Sequence, residues 1–237
     1  MNSVEYNPPI HQSPNHQITK SPNPSRSAAI LAGGKYQRFG SNKALAPWFN
    51  GHVIDAVAQA AMSACQEVII IADEPEPYSY SGLSVFPDIM PGLGPLAGLQ
   101  SALRYAKAER VLLLGCDMPL LNSELLDLMW EIPTWAPVVI PVTPQGLEPL
   151  HAIYHNSLLP IVDNRINSGN LSLKSLARDI PCRIVSPADI LKICPSLESL
   201  SSANTSEELT RLKNFAHTNA QFQKAPSLIF YEFQNHG

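Results

Sequence analysis

Short apolar runs alternate with segments of helical period along most of the chain. The first run, Ala28 to Ala32, ends in Gly33-Gly34, which is typical of a buried strand that leads into a glycine loop. Further strands are predicted at residues 67–72, 83–86, 110–115, 137–142, 150–154 and 182–185. Helices are predicted between them, at residues 53–64, 96–108, 123–131, 158–166, 172–178 and 205–214. This alternation predicts an α/β fold in which helices cover both faces of a sheet.

Three of the predicted helices begin with a local signal. Pro95 is suited to the first turn of a helix, where its missing N–H is not needed. Ser123 is predicted to cap the next helix. Thr205 and Glu208 have the spacing of a capping box, which predicts the start of the last helix.

The ends of the chain differ in composition from its middle. Residues 1–26 carry five prolines among Asn, Ser, Gln and His residues, with too few apolar side chains to offset the entropy of ordering. We therefore expect a flexible tail over residues 1–26, one domain over 27–215, and an extension of unclear structure over 216–237. Removal of residues 1–24 is expected to leave activity unchanged.

Charge and cysteine content exclude several classes of protein. The 237 residues include 16 basic and 20 acidic side chains, a net charge of −4, which argues against a surface built to hold nucleic acid or an anionic membrane. The apolar stretches fall short of the roughly 20 residues that a membrane-spanning helix needs. Scattered cysteines without a C-x-x-C pair favour a reducing compartment, and the amino terminus does not resemble a secretory signal. We expect a cytoplasmic protein.

The first glycine loop is the most informative segment. Gly33 and Gly34 allow main-chain amides to approach an anionic phosphate closely, and Arg38 and Lys43 follow within the next residues. A guanidinium can bind two phosphate oxygens, while an ammonium acts as a movable point charge. The alternative is a surface turn with two solvated cations. The spacing does not match a Walker loop, and Gly92 to Gly98 is one residue too long for a dinucleotide fingerprint.

Two aspartates follow predicted strands. Asp117 comes directly after the apolar strand at residues 110–115, at the edge where open α/β sheets bind ligands. Its carboxylate would suit Mg²⁺, which takes one or two carboxylates and leaves its other positions to water and phosphate. Taken alone, Asp117 could simply satisfy loop amides and Asp88 could form an Asx turn. Their convergence with the glycine loop favours a functional site.

Three motifs in order resemble the molybdenum cofactor guanylyltransferases. They are L-A-G-G-x-x-x-R-x-G-x-x-K at Leu31 to Lys43, Asp88 followed by Gly94-Pro95-Leu96-Ala97-Gly98, and Cys116-Asp117-Met118-Pro119. The resemblance extends over about residues 27–212. It implies a three-layer α/β sandwich with a Rossmann-like, mostly parallel sheet of the nucleoside-diphospho-sugar transferase type.

The resemblance also implies an activity, Mg²⁺-dependent transfer of GMP from GTP to the phosphate of molybdopterin carrying molybdenum, with release of pyrophosphate. The nucleotide-binding residues would be Leu31, Ala32, Gly33, Gly34, Lys43, Asp88 and Asp117. Arg38, Lys43 and Asp117 would act in catalysis, and Asp117 would also bind the metal ion. Transient contacts with cofactor-insertion proteins and molybdoenzymes are expected.

Two other functions stay open on sequence grounds. A cytidylyltransferase of the same fold would act on molybdopterin or on a sugar or isoprenoid phosphate, although Gly33-Gly34 favours GTP within the family. A nucleotide-binding adaptor would show no turnover, but the joint presence of Arg38, Lys43, Asp88 and Asp117 argues against it.

Other positions either depart from the family pattern or have both a structural and a functional explanation. Ala72 and Asp73 stand where some members of the family place an asparagine, so contacts with the base are expected to differ there. His151 is expected to be structural, with contact to substrate as the alternative. Asn204 and Thr205 match a segment of the family, and helix capping is the alternative explanation. Cys116 is expected to be a small buried residue without reactivity.

Overall fold

The structure is a computed structural model that describes residues 26–33, 42–194 and 196–219. Its strands are β1 (Ser27–Leu31), β2 (Pro47–Trp48), β3 (Gly51–His52), β4 (Glu67–Ile71), β5 (Ser84–Phe86), β6 (Arg110–Gly115), β7 (Val138–Thr143), β8 (Gly146–Leu147), β9 (His151–His155) and β10 (Cys182–Val185). Its α-helices are α1 (Val53–Ala64), α2 (Pro95–Tyr105), α3 (Ser123–Glu131), α4 (Leu159–Asn167), α5 (Leu173–Asp179), α6 (Pro187–Leu191) and α7 (Ser206–Thr218). The α/β class predicted from the sequence is confirmed.

The main sheet has the strand order β10-β7-β9-β6-β1-β4-β5, with β8 paired to β7. Strand β1 lies in parallel between β4 and β6, and Leu31 at its end is in register with Ile71 and Gly115. Strand β9 is antiparallel to both β6 and β7. The carboxyl ends of β1, β4, β5 and β6 therefore share one edge, so the loops that follow these strands meet there.

The sheet is covered on both faces, which makes the three-layer sandwich. On one face, helices α1, α3 and α6 pack on side chains such as Ile30, Ile70 and Leu114. On the other, helices α2, α4 and α5 pack on the side chains that alternate with these. Alternate residues of β1 and β6 are buried on opposite faces, which explains why these strands are apolar throughout.

Glycine 98 allows α2 to lie close to β1. A Cβ atom at this position would be 2.7 Å from Leu31 Cδ1, which is shorter than a normal contact. The helix begins at Pro95, as predicted, and Gly94 before it has a φ of 78°. The apolar part of the G-P-L-A-G motif therefore fixes how α2 packs next to the end of β1.

The last helix packs across the beginning of α1. Thr205 and Glu208 form the predicted capping box at the start of α7. The helix continues to Thr218, beyond the predicted end at residue 214, because Ala216 is buried in a cluster with Trp48, Val53 and Leu120.

Several local predictions need correction. The side chain of Asn122, not that of Ser123, caps α3 by accepting a hydrogen bond from the Leu125 N–H. The sequence analysis missed the hairpin β2–β3, the 3₁₀ helix Glu76–Ser81 and helix α6. These elements are too short for a period to be visible. The predicted tail and extension fall almost entirely outside the described residues, and none of the described helices is long and apolar enough to span a membrane.

Candidate active site

The end of β1 forms the centre of the candidate site. The Ala32 N–H donates to the Ile71 carbonyl at 2.9 Å, which holds the chain against β4 up to the first glycine. Gly33 follows as an exposed residue, and Leu31 packs against Gly98. Gly34, predicted to bind the nucleotide, and Arg38, predicted to act in catalysis, lie outside the described residues.

Lys43 and Asp117 are paired at this edge. The Lys43 Nζ lies 2.5 Å from Asp117 Oδ2, and Asn204 Oδ1 is 3.5 Å from the same nitrogen. Lys43 begins a short 3₁₀ helix in which the Asn42 side chain accepts a hydrogen bond from the Ala44 N–H. The fold thus brings together two of the predicted site residues that are 74 positions apart in the sequence.

The main chain fixes Asp117 beside β1. The Cys116 N–H donates to the Leu31 carbonyl at 3.2 Å, and the Ala203 N–H donates to the Asp117 carbonyl at 2.8 Å. A Cβ at Gly115 would lie 2.7 Å from Asp117 Oδ1, so glycine leaves the space that this carboxylate occupies. The side chain is 10% exposed, so its interaction with Lys43 is only weakly screened by bulk water.

Asp88 approaches the site from the end of β5. A Cβ at Gly33 would lie 4.0 Å from Asp88 Oδ2, so this carboxylate faces the glycine loop. Ser101 of α2 holds its loop, because the Ser101 hydroxyl lies 3.2 Å from Asp88 Oδ1 and accepts a hydrogen bond from the Ile89 N–H at 2.9 Å. Partial burial raises the pKa of Asp88, and the hydrogen bond from Ser101 opposes this shift.

Tyr78 also contributes to the site, although the sequence did not predict this. Its ring is buried, its hydroxyl donates to the Ala32 carbonyl at 3.1 Å, and the Asn42 side-chain amide donates to the same hydroxyl at 2.9 Å. Ala32 and Asn42 flank the glycine loop, so Tyr78 joins its two ends. A tyrosine in a polar, proline-containing segment carries no recognisable signal in a single sequence.

We expect Tyr78→Phe to raise the KM for GTP about fivefold with little change in kcat, because two hydrogen bonds at the ends of the loop are lost while the ring still packs. Steady-state kinetics would measure this. Tyr154→Phe is a matched control, since Tyr154 is also buried and its hydroxyl donates to the Pro149 carbonyl at 2.9 Å, away from the loop. Equal KM values in the two variants would contradict the role of Tyr78.

Three other residues can now be placed. His151 is fully buried on β9, neither ring nitrogen has a hydrogen-bond partner in the described parts of the chain, and burial lowers its pKa to about 3. Cys116 is buried, and desolvation raises the pKa of its thiol to about 12, which leaves it un-ionised at neutral pH. Thr205 caps α7, whereas its neighbour Asn204 lies beside Lys43.

The donor set at this edge is compatible with a divalent metal ion. The described residues contain no group of three or more histidine, cysteine, aspartate or glutamate side chains that could enclose a metal ion. Asp117 offers a carboxylate at this edge, and Mg²⁺ characteristically binds through one or two carboxylates plus phosphates and water. The site therefore suits an ion that arrives with a nucleotide.

Comparison with known proteins agrees with this geometry. Residues 28–182 match the family model described as the MobA-like NTP transferase domain. A probable molybdenum cofactor guanylyltransferase from Clostridium perfringens is 40% identical over 152 residues, which cover 63% of this chain and 76% of the relative. One from Carboxydothermus hydrogenoformans is 31% identical over 186 residues, covering 78% and 94%. The crystal structure of molybdopterin-guanine dinucleotide biosynthesis protein A from Archaeoglobus fulgidus shares the fold with a TM-score of 0.71 and 20% identity, and covers 81% of this chain and all of that one.

The fold and the family model define a nucleotidyltransferase with the nucleoside-diphospho-sugar transferase architecture. Enzymes of the NTP transferase class generally use a divalent metal ion. Within that class, the chain belongs to the family of molybdenum cofactor guanylyltransferases. The resemblance identified from three sequence motifs is confirmed.

Proposed function

We propose that the protein transfers GMP from GTP to the terminal phosphate of molybdopterin carrying molybdenum. A phosphate oxygen of the acceptor forms a bond to the α-phosphorus of GTP. The bond from the α-phosphorus to the oxygen shared with the β-phosphate breaks, and pyrophosphate leaves with the electron pair. The products are pyrophosphate and the molybdopterin guanine dinucleotide cofactor.

This reaction needs charge neutralisation more than proton transfer. The acceptor phosphate is already anionic, so no general base has to activate it. The barrier comes from bringing two polyanions together in line, which is a task for positioning and electrostatic stabilisation. Cys116, the cysteine next to Asp117, is buried with an un-ionised thiol, which is consistent with such a mechanism.

The pairing of Lys43 with Asp117 is the observation that carries the proposal. It places an ammonium group and a carboxylate 2.5 Å apart at the edge of the sheet where the glycine loop begins. Lys43 would turn from Asp117 to the phosphates as GTP binds, and Asp117 would then be free to hold the metal ion. Arg38 would add a second cation at the triphosphate.

Mg²⁺ is the metal ion that we propose for this site, with Asp117 as its protein ligand. When bound, it would neutralise charge on the reacting phosphates. Leu31, Ala32, Gly33 and Gly34 would line the guanine-nucleotide pocket. Asp88 would also contact the nucleotide, which agrees with the approach of its carboxylate to Gly33.

The function is tested by incubating the protein with molybdopterin and each of the four Mg²⁺-nucleoside triphosphates in turn, with pyrophosphate as the readout. We expect pyrophosphate with GTP, and little with CTP, ATP or UTP. Better turnover with CTP would favour the cytidylyltransferase. No pyrophosphate with any nucleotide or acceptor, together with GTP binding that survives Asp117→Ala, would favour an adaptor.

The cysteine content of the chain bears on where the protein acts. We propose that it acts in the cytoplasm, in agreement with its cysteine content. Delivery of the product would involve transient contacts with cofactor-insertion proteins and molybdoenzymes.

A further inference from the structure

A pocket lies at the opposite edge of the sheet from the candidate active site. It has a volume of about 340 Å³ and is lined by Arg110, Trp135 and His155, among others. Arg110 is the first residue of β6, and Asp117 follows the last one. At about 3.3 Å per residue, the length of this strand separates the two sites by roughly 16 Å.

Arg110 brings a cation to this pocket without a matching anion. Its Nε is buried and has no hydrogen-bond partner among the residues that the structure describes, and its Nη2 lies 3.5 Å from the Ala136 carbonyl. Within the described residues, no carboxylate lies within 4.0 Å of its guanidinium, which sets it apart from Arg26, Arg104 and Arg165. Burial lowers the pKa of Arg110, as expected when a charge is desolvated without compensation. A carboxylate in the pocket would provide that compensation.

His155 places a second basic side chain beside Arg110. The two residues face each other across the antiparallel pair β6–β9. The His155 Nδ1 accepts a hydrogen bond from the Ser157 N–H, and the His155 Nε2 lies 3.9 Å from the exposed carboxylate of Glu109. Glu109 is not one of the residues that line the pocket, and its carboxylate lies near His155 rather than Arg110.

Trp135 extends this pocket into an exposed apolar surface. It is 86% exposed, more than any other large hydrophobic side chain in the described parts of the chain. A small anion bound to Arg110 would leave most of the indole ring in water. A protein partner could cover the ring, and tryptophan and arginine are the residue types enriched at the energetic centres of protein interfaces. The guanidinium of Arg110 and the exposed indole ring of Trp135 together favour a macromolecular ligand.

We propose that this pocket is a docking point for an acidic segment of a partner protein. One carboxylate of the segment pairs with Arg110, and an adjacent apolar side chain packs on Trp135. The surface lies away from the nucleotide site, so a partner can bind there while GTP and the acceptor occupy the other edge. This inference is independent of the proposed reaction.

The probes for the test are N-acetyl-Glu-Leu-amide, its Gln-Leu analogue and inorganic phosphate. Each is titrated into the ¹⁵N-labelled full-length protein, and the indole N–H resonance of Trp135, assigned by its loss in Trp135→Phe, is followed. We expect a saturable shift with Glu-Leu and at least tenfold weaker binding of Gln-Leu, the scale of one charge-assisted hydrogen bond. Arg110→Gln should reduce Glu-Leu binding to the level of Gln-Leu.

Arg183→Gln is the matched control, because it removes an exposed arginine outside the pocket and should leave peptide binding unchanged. Pyrophosphate release should be unaltered in Arg110→Gln, which also shows that this variant is folded. If Arg110→Gln does not fold, Trp135→Ala is used instead, and calorimetry should show that it binds Glu-Leu about tenfold more weakly.

The proposal is overturned if Glu-Leu shows no saturation up to about 10 mM, tenfold above a Kd of 1 mM. It is also overturned if phosphate binds as tightly as Glu-Leu, which would indicate a small-anion site.

Discussion

Asp117→Ala is expected to reduce pyrophosphate release about 10³-fold at ordinary Mg²⁺ concentrations. A metal ion at a reacting phosphate contributes several kcal/mol of transition-state stabilisation, and each 1.36 kcal/mol corresponds to a factor of ten in rate. Asp117 is the proposed protein ligand of that ion. The hydrogen bond from the Ala203 N–H to the Asp117 carbonyl does not depend on the Asp117 side chain, so the local backbone should persist. Pyrophosphate release at saturating GTP measures the effect.

Asp189→Ala provides the matched control for Asp117→Ala. Asp189 is also paired with a lysine, since Lys192 Nζ lies 2.8 Å from Asp189 Oδ1, but this pair is exposed on α6. Its removal should leave the rate unchanged. Thermal unfolding followed by circular dichroism would show whether both variants are folded, and Mn²⁺ binding in the presence of GTP would report on the metal ligand directly. An unaltered rate and unaltered Mn²⁺ binding in Asp117→Ala would remove the metal assignment.

Lys43→Ala is expected to lower kcat/KM for GTP about 100-fold, with a weaker affinity and a slower rate together. The ammonium group would bind the phosphates both before and during transfer, and a hydrogen bond to a charged group contributes about 1.5–3 kcal/mol. The variant also leaves the carboxylate of Asp117 without its lysine partner. Steady-state kinetics and equilibrium binding of GTP separate the two effects.

Lys192→Ala removes a lysine from the comparable surface pair and should not change either constant. Lys43→Arg should restore only part of the activity, because the planar guanidinium does not fit the space of an ammonium. If Lys43→Ala raised KM alone, Lys43 would serve ground-state binding rather than the transition state. If neither constant changed, the proposed phosphate contact would be wrong.

The core of the fold was predictable because its signals are local. Each strand of the main sheet is a short apolar run, and the alternation with helices indicates covered faces. The antiparallel direction of β9 was not predictable in the same way. Its apolar residues are buried on both faces like those of the parallel strands in the same sheet, so the pattern does not depend on strand direction.

The candidate site was predictable where it coincides with motifs. Lys43 and Asp117 were identified by their positions after two strands, and the structure brings them into contact. Tyr78 and Asn204 could not be placed from the sequence, because their proximity depends on how the 3₁₀ helix Glu76–Ser81 and the segment before α7 fold back. The roles of Gly34 and Arg38 stay predictions.

The contact between Ala203 and Asp117 has a consequence for the order in which the active edge is completed. The match to the family model stops at residue 182, yet the Ala203 N–H is the donor that satisfies the carbonyl of Asp117, and Asn204 lies next to Lys43. During synthesis on the ribosome, the sheet and its acidic loop therefore emerge before the segment that encloses them. A nascent chain therefore completes this edge of the sheet only after Ala203 and Asn204 have been made and have docked.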